Sequence, residues 1–188
     1  APQIGAPLGR TTTRIIRKYN RESPLGNLIT DIMRARTNAD VAVTNAGGLR
    51  ADLPEGVIDR GNILDAFPFL NDTVTIELAG ADLRGVIEHG LSLKGGLSQV
   101  SGLHATYDLK RPIGSRLVSL DVGGQPMDDA RLYRVATNSF LGEGGDGYLS
   151  FKQGREIARG KLLSELLCDH VSAVKTIEPP AMGRLVPA

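Results

Sequence analysis

Residues 137–148, TNSFLGEGGDGY, have the side chains that could hold a small polar molecule in a loop. Asp146 offers a carboxylate that can accept hydrogen bonds from hydroxyl groups, and Phe140 and Tyr148 put an aromatic ring on either side of it. Glycines free the backbone for positive φ and for close approach to a ligand; they stand here at 142, 144, 145 and 147. The pattern favours a binding loop, with a plain glycine-rich surface turn as the alternative.

Two common phosphate-binding motifs do not explain these glycines. Gly142, Gly144 and Gly147 spell G-x-G-x-x-G, but that fingerprint requires a helix directly after it. The next residues, 148–154, are YLSFKQG and do not resemble the start of a helix. A P-loop is excluded as well, because no Gly-Lys-Ser/Thr follows.

A second stretch with binding chemistry is NAGGLR, residues 45–50. It follows a short apolar strand, and Asn45 and Arg50 flank a turn made by two glycines. Arg presents a planar fork of donors that matches phosphate or carboxylate, and Asn offers both donors and an acceptor. The alternative is a capped turn with a solvated arginine.

Aromatic residues are scarce, with four Phe, four Tyr and no Trp, so those in loops are notable. Phe67 and Phe69 flank Pro68, and we expect one to point into the core and the other to be exposed; their spacing does not say which. Together with Phe140, an exposed ring here could sandwich a flat group such as a nucleobase. Packing in the core is the alternative for each phenylalanine.

The chain lacks a recognisable catalytic set. His89, His104 and His170 fit no metal-ligand pattern, and we expect each to be a surface or core residue. Cys168 is the only cysteine, which excludes an internal disulfide and predicts a small buried apolar side chain within a helix. No G-x-S-x-G motif is present. The sequence therefore offers groups for binding rather than for bond cleavage.

Alternating and helical patterns predict the elements that position these groups. Ser23 is the expected N-cap and Pro24 the first residue of a helix that ends near Asn38. Further helices are predicted at 81–93 and 161–174, with a short helical turn that begins at Gly61 and stops at Pro68. Strands are predicted at 11–19, 40–44, 73–78, 101–109, 117–122 and 131–140. We expect residues 1–10 to be an inter-domain linker or an artificial chain edge, and residues 11–188 to form one domain.

Composition is that of an ordinary globular protein, with 41% hydrophobic and 23% charged residues. The net charge of +1 does not favour a nucleic-acid polymer or an anionic membrane as partner. No apolar run approaches the ~18 residues of a membrane span, and we expect no signal peptide in this chain.

Four segments in order resemble the C-terminal domain of 5′-nucleotidases, a family that includes UDP-sugar hydrolases and 2′,3′-cyclic-nucleotide phosphodiesterase/3′-nucleotidases. They are ESPLGNLITD at 22–31, NAGGLR at 45–50, FPFLN at 67–71 and TNSFLGEGGDGY at 137–148. The resemblance covers residues 4–186. It implies an α+β fold of mixed β-sheets packed with helices.

The resemblance also implies that this domain recognises the nucleoside part of a nucleotide substrate. The implied roles are base stacking by Phe69 and Phe140, ribose binding by Asp146, and substrate contact by Asn45, Asn71 and Arg50, with Arg50 near the phosphate. One position departs from the pattern: Tyr19 stands where several members carry a further substrate arginine. Arg17 and Arg21 are shifted from that position by two residues.

Catalysis in this family is implied to lie elsewhere, in an N-terminal metallophosphoesterase domain with two divalent metal ions and an Asn-His pair. No cofactor is expected in this chain, its expected partners are a nucleoside or nucleotide and that N-terminal domain, and the chain alone is expected to be inactive. The implied location is periplasmic, secreted or at the cell surface. The alternatives are a non-catalytic nucleotide-binding module and the equivalent domain of a related sulfur-compound hydrolase.

Overall fold

The computed structural model describes residues 5–188 as three β-sheets packed with helices. The strands are β1 (Pro7–Thr11), β2 (Val41–Asn45), β3 (Gly56–Asp59), β4 (Asp72–Ala79), β5 (Ser98–Ser101), β6 (Leu103–Tyr107), β7 (Leu117–Val122), β8 (Gln125–Pro126), β9 (Leu132–Asn138), β10 (Arg155–Leu162), β11 (Thr176–Ile177) and β12 (Leu185–Pro187). The α-helices are α1 (Pro24–Thr37), α2 (Arg60–Ala66), α3 (Gly80–Gly90), α4 (Ser139–Gly142) and α5 (Leu163–Val174). This α+β architecture confirms the predicted fold class.

A five-stranded sheet in the order β10-β4-β9-β2-β5 separates two hydrophobic cores. Because successive side chains of a strand point to opposite faces, Val41 and Val43 of β2 enter one core and Ala42 enters the other. The first core also contains α3 and the sheet β12-β6-β7-β8, and the second contains α1, α2, α5 and the sheet β11-β1-β3. The four strands β4, β9, β2 and β5 are thus largely buried on both faces, and only the edge strand β10 is exposed.

Helix α1 forms as its sequence predicts. The Ser23 side-chain oxygen accepts a hydrogen bond from the backbone N–H of Gly26 at 3.1 Å, and Pro24 occupies the first turn. Asn38, with φ 52°, ends the helix in the left-handed region. The apolar face is fully buried in the second core, and each such leucine or isoleucine contributes about 1.5–3 kcal/mol of burial free energy.

The structure differs from the prediction at several boundaries. Strand β1 begins at Pro7, so the predicted linker overlaps an ordered strand; residues 1–4 lie outside the described part of the chain. Strand β10 is absent from the prediction because it is an exposed, mainly polar edge strand without alternating apolar residues. The strand predicted over 131–140 ends at Asn138, where α4 begins.

Candidate functional site

Two asparagines meet where neighbouring strands of the central sheet end. Strands β2 and β9 are parallel, and Asn45 and Asn138 are their last residues. The Asn138 amide Nδ2 donates to Asn45 Oδ1 at 3.1 Å, and Asn138 Oδ1 accepts from the backbone N–H of Leu141 at 2.9 Å, which caps α4. The two amide side chains thus join the adjacent strand ends and place polar groups at this edge of the sheet.

Asp146 approaches the same edge from the glycine-rich loop. Asn45 Nδ2 donates to Asp146 Oδ2 at 3.3 Å, which joins residues that are 101 positions apart. Asp146 itself has φ 54°, a left-handed conformation that residues with a Cβ seldom adopt. Gly95 lies directly against its carboxylate, and a Cβ at position 95 would overlap it. The acid is therefore held in one orientation.

A pocket of about 470 Å³ opens beside this pair. Its volume falls in the range typical of small-molecule sites. The structure brings all six residues predicted from the sequence into this one pocket, alongside others that the sequence did not predict. Its lining is Tyr19, Asn45, Gly47, Gly48, Arg50, Phe69, Leu70, Asn71, Gly95, Phe140 and Asp146.

The structure distinguishes the two phenylalanines around Pro68. Phe67 is 4% exposed and belongs to the second core, whereas Phe69 is 50% exposed and lines the pocket. Phe140, the first-turn residue of α4 that follows Ser139, is 42% exposed and also lines it. A Cβ at Gly145 would overlap the Phe140 ring, so the glycine lets the loop lie against it. Two aromatic rings are thus available to a ligand.

Arg50 supplies the cation of the pocket lining. Its backbone N–H donates to the Ala66 carbonyl at 2.9 Å, which fixes the exit of the turn against the end of α2. The side chain is exposed, and within residues 5–188 its guanidinium makes no ion pair with a carboxylate. It is therefore available to an anionic ligand.

Tyr19, rather than either nearby arginine, lines the pocket at the position where the resemblance implied a cation. The Tyr19 carbonyl accepts a hydrogen bond from the Leu97 N–H at 2.8 Å, and 45% of the residue is exposed. Arg17 and Arg21 are outside the lining. The described lining thus carries one cation, Arg50, and one anion, Asp146.

Tyr148 is not a pocket residue, although it flanks the glycine-rich loop. It is fully buried, and its hydroxyl lies 2.8 Å from the Ser98 hydroxyl. Burial raises the pKa of Tyr148 to about 12, an effect that the Ser98 hydrogen bond partly opposes. The ring anchors the C-terminal end of the loop in the first core.

Sequence reasoning missed three contributors to the site. Asn138 could have been suspected, since an asparagine at a strand end before a helical turn is a typical N-cap. Gly95 and His89 gave no such signal: each meets Asp146 only through the tertiary fold, and His89 Nε2 lies 2.7 Å from the Asp146 carbonyl oxygen.

Two further properties concern metals and membranes. Among residues 5–188, no group of three or more His, Cys, Asp or Glu side chains is placed to hold a metal ion. The described helices include none with the length and apolar character needed to cross a bilayer.

Comparison with known proteins bears on this fold. A family model described as 5′-nucleotidase, C-terminal domain, matches residues 6–153. The chain belongs to the 5′-nucleotidase C-terminal domain family. This 5′-nucleotidase-type domain is 30% identical over 193 residues to a 5′-nucleotidase of Diplobatis ommata, with 89% of the chain and 33% of that protein covered.

Solved structures share the architecture of this 5′-nucleotidase-type domain. The crystal structure of a 5′-nucleotidase precursor from Thermus thermophilus superposes with a TM-score of 0.92 at 34% identity, covering 97% of this chain and 39% of that one. A Thermus thermophilus sulfate thiohydrolase, SoxB, gives a TM-score of 0.82 at 22% identity, covering 98% of this chain and 35% of that one. The second likeness concerns the fold alone. In each of these comparisons the domain spans between a third and two fifths of its relative's length.

Proposed function

We propose that this domain recognises the nucleoside part of a nucleotide for a 5′-nucleotidase-type phosphohydrolase. The observation that carries the proposal is the convergence, in one pocket, of two half-exposed phenylalanines, a fixed carboxylate and an unpaired guanidinium. Phe69 and Phe140 would stack on the base, since every nucleobase offers a π-face to an aromatic ring.

The polar groups suit the rest of such a ligand. Asp146 would accept hydrogen bonds from ribose hydroxyls, with Asn45 holding its carboxylate. Arg50 would meet the phosphate, for which its planar fork of donors is well matched. Asn71 lines the same pocket and offers both donors and an acceptor.

Hydrolysis would require the rest of a larger protein. We propose that an N-terminal metallophosphoesterase domain with two divalent metal ions supplies the bond cleavage, and that this chain binds and orients substrate but does not hydrolyse it alone. The short span of the chain relative to its relatives supports this division. A periplasmic, secreted or cell-surface location is part of the same proposal.

Calorimetric titration of the chain with adenosine and AMP tests the proposal. We expect saturable binding, tighter for AMP than for adenosine because of Arg50, and at least ~10-fold weaker in Asp146→Asn, since hydrogen bonds to a charged group contribute about 1.5–3 kcal/mol. Asp129→Asn is the matched control: Asp129 is an exposed acid paired with Arg84. Equal binding by the Asp146→Asn variant would refute the ribose role.

The architecture shared with SoxB keeps the equivalent domain of a sulfur-compound hydrolase as a second candidate. The two outcomes separate in the same titration. A chain that binds neither adenosine nor AMP at millimolar concentration would favour the second candidate. Binding of the nucleoside would oppose it, since the paired exposed rings would then have their expected ligand.

A further inference from the structure

His89 lies behind the candidate site and contacts the one acid that lines it. It belongs to the last turn of α3, and its Nε2 is 2.7 Å from the backbone carbonyl oxygen of Asp146. A carbonyl oxygen can only accept a hydrogen bond, so Nε2 must carry the proton and donate it. This contact links α3 to the glycine-rich loop across 57 positions of sequence.

The histidine ring is itself held in place. The Tyr148 ring packs against it edge-on, with centroids 4.5 Å apart and an interplanar angle of 78°. Gly147 also lies close, since a Cβ at that position would come within 3.0 Å of the imidazole Cε1. The donor is thus fixed between a buried tyrosine and a tight turn of the loop, which restricts both its position and its direction.

Asp146 needs such a partner because its backbone is in the left-handed region, with φ 54°. That conformation is sterically disfavoured for a residue with a Cβ, so surrounding contacts must maintain it. Asn45 holds the carboxylate by a 3.3 Å hydrogen bond, and His89 holds the peptide carbonyl. With both contacts present, the side chain and the backbone of the acid are fixed separately.

We propose that His89 is a positioning residue for ribose recognition: its Nε2–H holds the Asp146 backbone in the orientation that directs the carboxylate into the pocket. The inference rests on the proposed function of Asp146. It adds a residue outside the pocket lining to the recognition machinery, and it makes discrimination between ribose and deoxyribose depend on a histidine that touches no ligand.

The test compares two variants of nearly equal shape, His89→Gln and His89→Met. Gln keeps an N–H donor near the position of Nε2 and Met removes it, while both lose the aromatic contact with Tyr148. Calorimetry measures the affinity ratio of adenosine to 2′,3′-dideoxyadenosine, which lacks the ribose hydroxyls. We expect a ratio of at least ~10 in the wild-type chain and in His89→Gln, and below ~3 in His89→Met.

Each outcome has a definite meaning. The inference is supported if His89→Met loses the preference for adenosine but binds dideoxyadenosine as tightly as the wild-type chain does. A general loss of structure would instead weaken the binding of both ligands. A wild-type ratio in His89→Met overturns the inference, as does an equal loss in both variants, which would indicate ring packing instead. A wild-type chain that binds both ligands equally refutes the ribose role of Asp146 and the inference with it.

A second measurement uses the unaltered chain and so does not depend on how the variants fold. Nitrogen-15 NMR of the imidazole reports which ring nitrogen carries the proton. We expect His89 to be in the Nε2–H form in the neutral state, whether or not ligand is present. The Nδ1–H form would overturn the inference, because the imidazole could not then donate to the Asp146 carbonyl.

Discussion

Replacement of Phe140 by alanine tests the aromatic part of the site most directly. Phe140 is 42% exposed, which is roughly 80 Å² of a side chain that can bury about 200 Å². A base that covers about half of this surface would add about 1 kcal/mol of apolar burial. Offset stacking of two rings adds roughly 0.5–1.5 kcal/mol. The sum, about 2 kcal/mol, lies within the ~1–3 kcal/mol measured for base–aromatic stacks. We therefore expect Phe140→Ala to weaken AMP binding about 30-fold.

Ribose 5-phosphate makes this measurement specific, since it has the sugar and the phosphate of AMP but no base. Its affinity, measured by the same calorimetry, should be unchanged in Phe140→Ala. Leu132→Ala removes an exposed apolar side chain of β9 outside the pocket and serves as the control. An unchanged AMP affinity, or an equal loss for AMP and ribose 5-phosphate, would refute the stacking argument.

Three further predictions concern charge, stability and pH. Tyr19→Arg adds a second cation to the pocket and should raise AMP affinity about 2–5-fold, the scale of an exposed ion pair, with adenosine as the unaffected control ligand in calorimetry. Ser23→Ala removes the cap of α1 and should lower the free energy of unfolding in urea by about 0.5–2 kcal/mol; no shift of the midpoint would contradict the capping role. Burial and then the nearby Arg36 lower the pKa of His170 from 6.5, so the unfolded chain binds more protons there and stability falls as pH drops below about 6.5. The melting temperature of His170→Asn should consequently fall less than that of wild type between pH ~7 and ~5, whereas His104→Asn, at an exposed site, should follow wild type.

The sequence identified much of the candidate site because its residues occur in short, linked motifs. Asn45 and Arg50 flank one glycine turn, and Asp146 stands among four glycines in one loop. Such local patterns survive in the structure as neighbours at the pocket. What spacing could not decide was which residue of the Phe67-Pro68-Phe69 segment is exposed, since that depends on how α2 docks against the second core.

The rest of the site depends on contacts between distant segments. Tyr19 lies at the pocket because its backbone carbonyl accepts a hydrogen bond from the Leu97 N–H. Gly95, two residues before Leu97, lies there because its backbone packs against the Asp146 carboxylate. No local pattern encodes these approaches. Strand β10 was not predicted for a different reason. It pairs with β4 through backbone hydrogen bonds at the edge of the sheet, and because its side chains are exposed they need not alternate between apolar and polar types.

The hydrogen bond between Asn45 and Asp146 joins two residues that are 101 positions apart in the chain. Because the pocket is formed by residues from both ends of that segment, a ligand that needs the whole pocket can bind only the folded chain. Its binding free energy then adds to the stability of the entire sheet, by about 2.7 kcal/mol at a ligand concentration 100 times Kd. Slowed hydrogen exchange in strands far from the pocket would report occupancy, so the natural ligand can be sought without any enzymatic assay.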